Sequence, residues 1–227
     1  MRVVLPSYNF NFKGINIAKA VVKNHPEQLE FDVYKMTDKD QPFLTDLYEH
    51  VDLMKLYPGL DYYHYHFWNH VLKKSIKMDN KEKVLLVAKD NKPCGLINYK
   101  EDKNSIFVNH VCSIPTGISE KVPWVGTVLF MSLFNDFLKK TLKQIRLSAA
   151  KDAPFPTIPK YERLGFQSID EDAYHSTMVL KKESVESSLA KREKDVEYTE
   201  INNSKDIDLY DKLQFSKDME NLFKRYY

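Results

Sequence analysis

Lys121-Val-Pro-Trp-Val-Gly-Thr-Val-Leu-Phe-Met-Ser-Leu-Phe-Asn-Asp-Phe-Leu138 is the most informative stretch of this 227-residue chain. From Val125 to Leu142 it is almost wholly apolar, with charge only towards its end. A run this long predicts a buried helix rather than a strand. In front of that helix stand a basic residue, a proline and a glycine. The first amides of a helix have no intrahelical acceptor and face the positive end of its dipole, so they bind anions. Pro123 is tolerated there because those amides are free in any case. Gly126 lets the backbone approach a pyrophosphate closely, and Lys121 can screen its charge. Glycine is scarce, at six residues, so each one marks a place where the backbone is under a special demand.

On either side of this joint the pattern alternates between strand and helix. Upstream, Val84–Ala88, a four-residue turn Asp90-Asn-Lys-Pro and Cys94–Tyr99 predict a hairpin, and Ser105–Cys112 a third strand. An irregular segment with Pro115, Gly117 and Pro123 leads into the helix. Downstream, Gln144–Ala150 predicts a strand. A proline-punctuated loop follows, then a short helix around Tyr161–Leu164 capped by Gly165, and a last hairpin ending near Leu180. Nearer the N-terminus, Phe31–Met36 alternates as a strand and ends in a Thr-Asp-Lys-Asp turn. Helices are predicted over Pro42–Met54 and Asp61–Met78, with Asp61 as N-cap. Residues 15–24 predict a helix as well, stopping near His25-Pro26. After Lys181 the chain turns polar and lacks glycine and proline. The expectation there is a linker or exposed helix over 183–205, then a last helix with a thin stripe of Leu209, Leu213, Leu222 and Phe223.

Composition narrows the function. Hydrophobic residues are 43% of the chain, enough for a packed core. A formal net charge of +2 leaves no electrostatic footprint for nucleic acid. Cys94 and Cys112 form neither a CxxC nor a disulfide scaffold. No apolar run is long enough for a signal-peptide core or a membrane span, so the expected compartment is the cytoplasm.

The order of elements and two short motifs resemble the GNAT superfamily of N-acetyltransferases over about residues 30–182. The family's acetyl-CoA loop places Arg or Gln, for which Lys121 is a conservative replacement, then two residues, Gly, one residue, Gly or Ala and an apolar helix. Lys121, Trp124, Gly126 and Leu129 occupy those positions, with Trp124 where the first glycine is usual. The second motif is a tyrosine four residues before Gly-Phe, present as Tyr161-Glu-Arg-Leu-Gly165-Phe166. Pro154 stands where the family has an asparagine, and Lys35 where arginine is frequent on the first strand. The resemblance implies an α/β fold, a twisted mixed sheet flanked by helices, over residues 31–182. Residues 1–30 and 183–227 are then extensions.

It also implies acetyl-CoA as co-substrate and an amine as acceptor, with direct attack in a ternary complex. Val111 and Ser113, at the end of the third strand, lie along the pantetheine arm, with backbone N–H groups polarising the thioester carbonyl. Lys121, Trp124, Val125, Gly126 and Thr127 form the pyrophosphate loop. Tyr161 protonates the leaving thiolate: a phenol's reference pKa of about 10 keeps its proton in place at neutral pH, and lies near enough to a thiol's of about 8.5 for transfer. Its alternative role is a packing residue at a helix end.

The general base is open among His110, the aromatic and histidine-rich stretch Asp61–His70, and water. His66 and His70 share a helix face at i and i+4, but no HExxH motif or third ligand accompanies them, and no metal is expected. That stretch either packs as an amphipathic helix or shapes the acceptor pocket. Cys112, on an apolar strand, is not expected to act as a nucleophile. A homodimer is compatible with the resemblance. So is a second class of function, a non-catalytic protein of this fold acting through partners; Trp124, Pro154 and the long C-terminal segment point that way.

Overall fold

A computed structural model describes residues 14–53, 62–77, 82–114, 122–153, 156–202 and 206–207. The helix expected over residues 15–24 is instead a strand, β1 (Gly14–Val22). Its β-branched Ile15, Ile17, Val21 and Val22 favour extended backbone. Pairing with neighbours on both edges overrides the helix-forming Ala18, Lys19 and Ala20. β2 (Glu30–Met36) returns antiparallel to it, with a bulge between Asn16 and Ala18. A 3-10 turn over Asp38–Asp40 follows, closed by a capping box between Thr37 and Asp40. Helices α1 (Gln41–Leu53) and α2 (Tyr62–Ile76) come next.

The middle of the chain follows the expected pattern. β3 (Glu82–Lys89), β4 (Lys92–Glu101) and β5 (Ser105–Ser113) form an antiparallel meander. The β3–β4 connection is tighter than the four-residue turn expected. Asp90 and Asn91 sit at φ 50° and 61°, the left-handed pair of a two-residue hairpin turn, where Asp and Asn are the non-glycine residues best able to go. α3 (Val125–Leu138) then crosses over to β6 (Gln144–Ala150), which pairs parallel to β5. α4 (Thr157–Arg163), β7 (Gln167–Glu171) and β8 (His175–Lys181) complete this part.

The chain does not leave the domain at residue 182. α5 (Lys182–Arg192) buries Val185 and Leu189 in the core cluster shared with α3, and β9 (Val196–Glu200) pairs with β1. A two-residue strand, β10 (Asp206–Ile207), continues the same edge. The boundary expected at 30/31 therefore falls inside β2 and that at 182/183 inside α5, between strands of one continuous sheet. Its order is β10-β1-β2-β3-β4-β5-β6-β8-β7, with β9 also on β1. The polar composition after Lys181 concealed a thin buried stripe (Val185, Leu189, Val196) that becomes visible only beside α3 and β1. Asp61, Lys121, Pro154 and the leucine stripe expected beyond Leu209 lie outside the described residues.

Two apolar layers enclose the sheet. Ala18, Phe31, Val33, Leu85, Val87, Ile97, Ile145, Leu147 and Leu180 pack with α3 and α5 on one face. Tyr34, Met36, Val84, Leu86, Leu96 and Cys112 pack with α1 and α2 on the other. Alternation along β3 sends Leu85 and Val87 one way and Val84 and Leu86 the other, as a two-residue period requires.

Because Leu189 is 5% exposed within the α3 layer, Leu189→Ala is expected to cost about 2–3 kcal/mol and lower Tm by roughly 4–10 °C. Calorimetric melting checks this; an unchanged Tm shows that α5 is an appendage.

Candidate functional site

The sheet opens between β5 and β6. Their parallel ladder runs only from Ser105↔Gln144 to Val108↔Leu147, whereas β5 continues to Ser113 beside β4 and β6 to Ala150 beside β8. Asn109 is an extra residue on β5: Asn98 pairs with His110 and Tyr99 with Val108. Such a bulge bends a strand and increases its local twist, here where the two strands part.

A cleft of about 790 Å³ occupies the opening. Its floor is the end of β5, with Val111, Cys112, Ser113 and Ile114. Val122, Pro123 and Trp124 lead to the α3 N-terminus, where Val125, Gly126, Thr127 and Phe130 form one wall. α4 and its end supply the opposite wall through Thr157, Lys160, Tyr161, Arg163 and Leu164, and the end of α5 and the turn after it add Arg192 and Asp195. Phe67 and Trp68 of α2 reach in from the other face of the sheet.

The α3 N-terminus is seated by a close approach. A Cβ built on Gly95 of β4 falls 2.1 Å from Val125 Cγ1, so this contact requires glycine at 95. The first helical backbone bond runs from Val128 N–H to the Trp124 carbonyl at 3.0 Å. The amides of Val125, Gly126 and Thr127 precede it and are left to another acceptor. Gly126 differs from Gly95: a Cβ there meets nothing within 4 Å. The protein's own packing makes no demand for glycine at 126, and the space beside it belongs to the cleft.

Trp124, the helix N-cap, has φ 68° and ψ −10°. The residue that replaces the usual first glycine thus takes the left-handed backbone that glycine adopts freely, at a cost of about 1–2 kcal/mol. Its half-buried ring packs against the α3 core, which helps to hold that conformation.

Tyr161 forms the wall opposite. Its ring lies edge-on to Phe130, with centroids 5.9 Å apart, and to Phe166 at 6.0 Å. Burial among these rings pushes the phenol up to about 12, so it is protonated at neutral pH. Gly165, at φ 93°, ends α4, and the Phe166 amide donates to the Tyr161 carbonyl at 3.1 Å. The Tyr-x-x-x-Gly-Phe spacing is thus a helix cap that fixes the tyrosine against α3.

Of the residues singled out in the sequence, Val111, Ser113, Trp124, Val125, Gly126, Thr127 and Tyr161 all line this cleft. Lys121 lies outside the described residues. His110 does not line it. It stacks edge-on against His70 of α2, centroids 5.2 Å apart, and its buried Nδ1 has no hydrogen-bond partner among the described residues. Burial, then the neighbouring His70 and Lys74, pull its pKa down to about 4. From α2 it is Phe67 and Trp68, rather than His66 or His70, that line the cleft. No group of three or more potential metal ligands occurs among the described residues. The Cys112 thiol is pushed up to about 12 by burial and is no nucleophile. Sequence reading missed Lys160, Arg163, Arg192 and Asp195. The first two flank Tyr161 in the motif and could have been found by helix spacing, whereas nothing local marks Arg192 or Asp195.

No protein-family model matches the chain, and no curated protein sequence matches it. Solved structures do. The chain is similar to a candidate acetyltransferase of the GNAT family from Desulfovibrio desulfuricans, at 11% identity and TM-score 0.50, over 67% of this chain and 99% of that one. It is also similar to the PaiA N-acetyltransferase of Thermoplasma acidophilum in complex with coenzyme A, at 18% identity and TM-score 0.48, over 66% and 98%. The N-acetyltransferase PseH of Campylobacter jejuni matches at 16% identity and TM-score 0.46, again over 66% and 98%. No helix among the described residues is long and apolar enough to cross a membrane.

Two measurements test this geometry. Trp124→Gly and Trp124→Ala both remove the ring, but only glycine escapes the left-handed penalty, so the glycine variant is expected to be the more stable by about 1 kcal/mol in denaturant titration. For His110, an unfolded pKa near 6.5 lies above the folded value of about 4. The unfolded chain therefore takes up a proton first as pH falls, and stability is lost between those values. Tm of the wild type is expected to drop relative to His110→Gln between pH 7 and 4.5; parallel curves would show that His110 titrates normally.

With its single parallel strand pair splayed over a cleft, α3 seated at the opening and this likeness in solved structures, the chain has the fold of the GNAT N-acetyltransferases.

Proposed function

We propose that this chain is an acetyltransferase that moves an acetyl group from acetyl-CoA to an amine. The observation that carries this reading is the joint lining of one cleft by free α3 amides, an uncrowded Gly126 and the protonated Tyr161. The residues present suit that co-substrate. Gly126 leaves space where a Cβ would otherwise project, and the α3 N-terminus offers amides and a positive dipole end to a pyrophosphate. The β5 edge beyond Val108, from which β6 has withdrawn, offers backbone groups to an extended arm.

When bound, acetyl-CoA supplies an activated thioester. The residues of this chain orient it and manage charge. Backbone N–H groups near Val111 and Ser113 stabilise negative charge developing on the carbonyl oxygen. As the amine forms the new C–N bond and the C–S bond breaks, the Tyr161 hydroxyl gives its proton to the departing sulfur, and the proton that the nitrogen loses returns through water to the phenolate. A phenol held near 12 by its apolar wall keeps that proton at neutral pH, and gives it up to sulfur because the same apolar wall raises the basicity of the thiolate forming beside it. Phe67 and Trp68 border the cleft from the α2 side, where an acceptor can enter without crossing the α3–α4 side. Trp124 does not favour the non-catalytic alternative, because its backbone conformation presents the following amides as glycine would.

Calorimetry with acetyl-CoA, and release of free thiol over a panel of amines, polyamines and peptides, test the reading together. Gly126→Glu is expected to abolish binding with little change in Tm, because its Cβ enters open space and an acidic residue suits the first helical turn. Tyr161→Phe is expected to keep the affinity and lose about 10²-fold in both kcat and kcat/KM. Unchanged binding by the first variant refutes the loop assignment, and undiminished turnover by the second refutes the acid role.

A further inference from the structure

The cleft has a second electropositive end that the α3 N-terminus does not account for. Arg192 projects from the last turn of α5, outside the strand and helix order that defines the fold. Its guanidinium is half-buried. It donates to the Ser188 carbonyl at 2.7 Å, to Ser188 Oγ at 3.0 Å and to the Arg163 carbonyl. All three acceptors are neutral, so the charge is partly desolvated with no carboxylate bonded to it among the described residues. Burial accordingly pulls its pKa below the ordinary value, with Asp195 opposing this weakly. An arginine has five N–H donors, so those three acceptors leave part of the fork unused. Arg163, exposed, and Lys160 also line the cleft, with Asp195 as the single acid lining it among the described residues.

A cation held in a cleft wall by carbonyls is positioned but not neutralised, and its natural complement is a doubly charged, three-oxygen anion. Building on the proposed acetyl-CoA reading, we infer that Arg192, with Arg163 and Lys160, recognises the 3′-phosphate of the co-substrate's nucleotide. The C-terminal segment thus completes the co-substrate site. The competing role for Arg192 is a strap that ties the C-terminal end of α4 to α5. A strap acts alike on ligands with and without that phosphate, and this separates the two.

The experiment is calorimetric titration of the full chain with acetyl-CoA and with 3′-dephospho-acetyl-CoA. The wild type is expected to bind acetyl-CoA about 10-fold or more tightly than the dephospho compound, the size of a charge-assisted hydrogen bond. Arg192→Met is expected to bring the ratio close to one, and Arg192→Lys to restore part of it. Should Arg192→Met fail to fold, Arg163→Met serves, since its exposed side chain can be removed while its carbonyl stays; the ratio should fall there too. Equal affinities in the wild type, or a ratio unmoved in the folded variants, overturn the inference and leave the acetyl-CoA reading standing. Failure of the wild type to bind either compound overturns both.

Discussion

The contact between Val125 and the backbone of Gly95 sets the position of everything around the cleft. A strand residue with any side chain at 95 would push the start of α3 away from the sheet, since even a Cβ would lie 2.1 Å from Val125 Cγ1. With glycine there, the helix N-terminus descends onto β4 beside the end of β5. Its apolar length, through Val128, Leu129, Met131, Leu133, Phe134 and Phe137, then anchors it against the sheet. Burial of this size holds the helix in place even though its first turn leaves amides unsatisfied. The cost of those amides is offset along the rest of the helix, and the first turn stays available for a ligand.

Trp124 shows how a loop keeps its shape after losing the residue that ordinarily permits it. The left-handed backbone costs a tryptophan about 1–2 kcal/mol, and a partly buried indole returns free energy of similar size through apolar area removed from water. The side chain that would obstruct a glycine-lined loop thus lies partly against the protein's own core, and the amides that follow keep their direction. Tryptophan at this position thus takes, with its ring against the core, the backbone conformation that a glycine adopts without cost.

Strands β2 to β6 and helices α1 to α4 were legible because each carries its own period or its own caps. β3 alternates, α3 is apolar throughout, and α4 ends at a glycine with positive φ. β1 was misread because Ala18, Lys19 and Ala20 favour a helix, and only the partners β2, β9 and β10 decide otherwise. α5 is the exposed helix expected within 183–205 except for its buried stripe, and that stripe and β9 were missed for the opposite reason. Each buries one or two residues on an otherwise polar element, too few to stand out until α3 and β1 are beside them. The Asp90-Asn91 turn was legible in principle, since adjacent Asp and Asn tolerate left-handed backbone, but Pro93 drew the turn two residues too far along the chain.

The candidate site divides along the same line. Gly126 and Tyr161 belong to short local motifs, and spacing sufficed to find them. Arg192 belongs to none, because its place follows from α5 folding back over α3 until its last turn meets the end of α4. That return has a physical cause in Val185 and Leu189, which need the α3 surface to be buried, and in Val196, which needs β1. Ser188 lies on the same side of α5 and donates its hydroxyl to the Leu164 carbonyl, one residue beyond the carbonyl that Arg192 binds. The apolar stripe that stabilises the segment thereby also delivers a guanidinium to the cleft, so packing and charge placement in the C-terminal segment arise from one helix orientation.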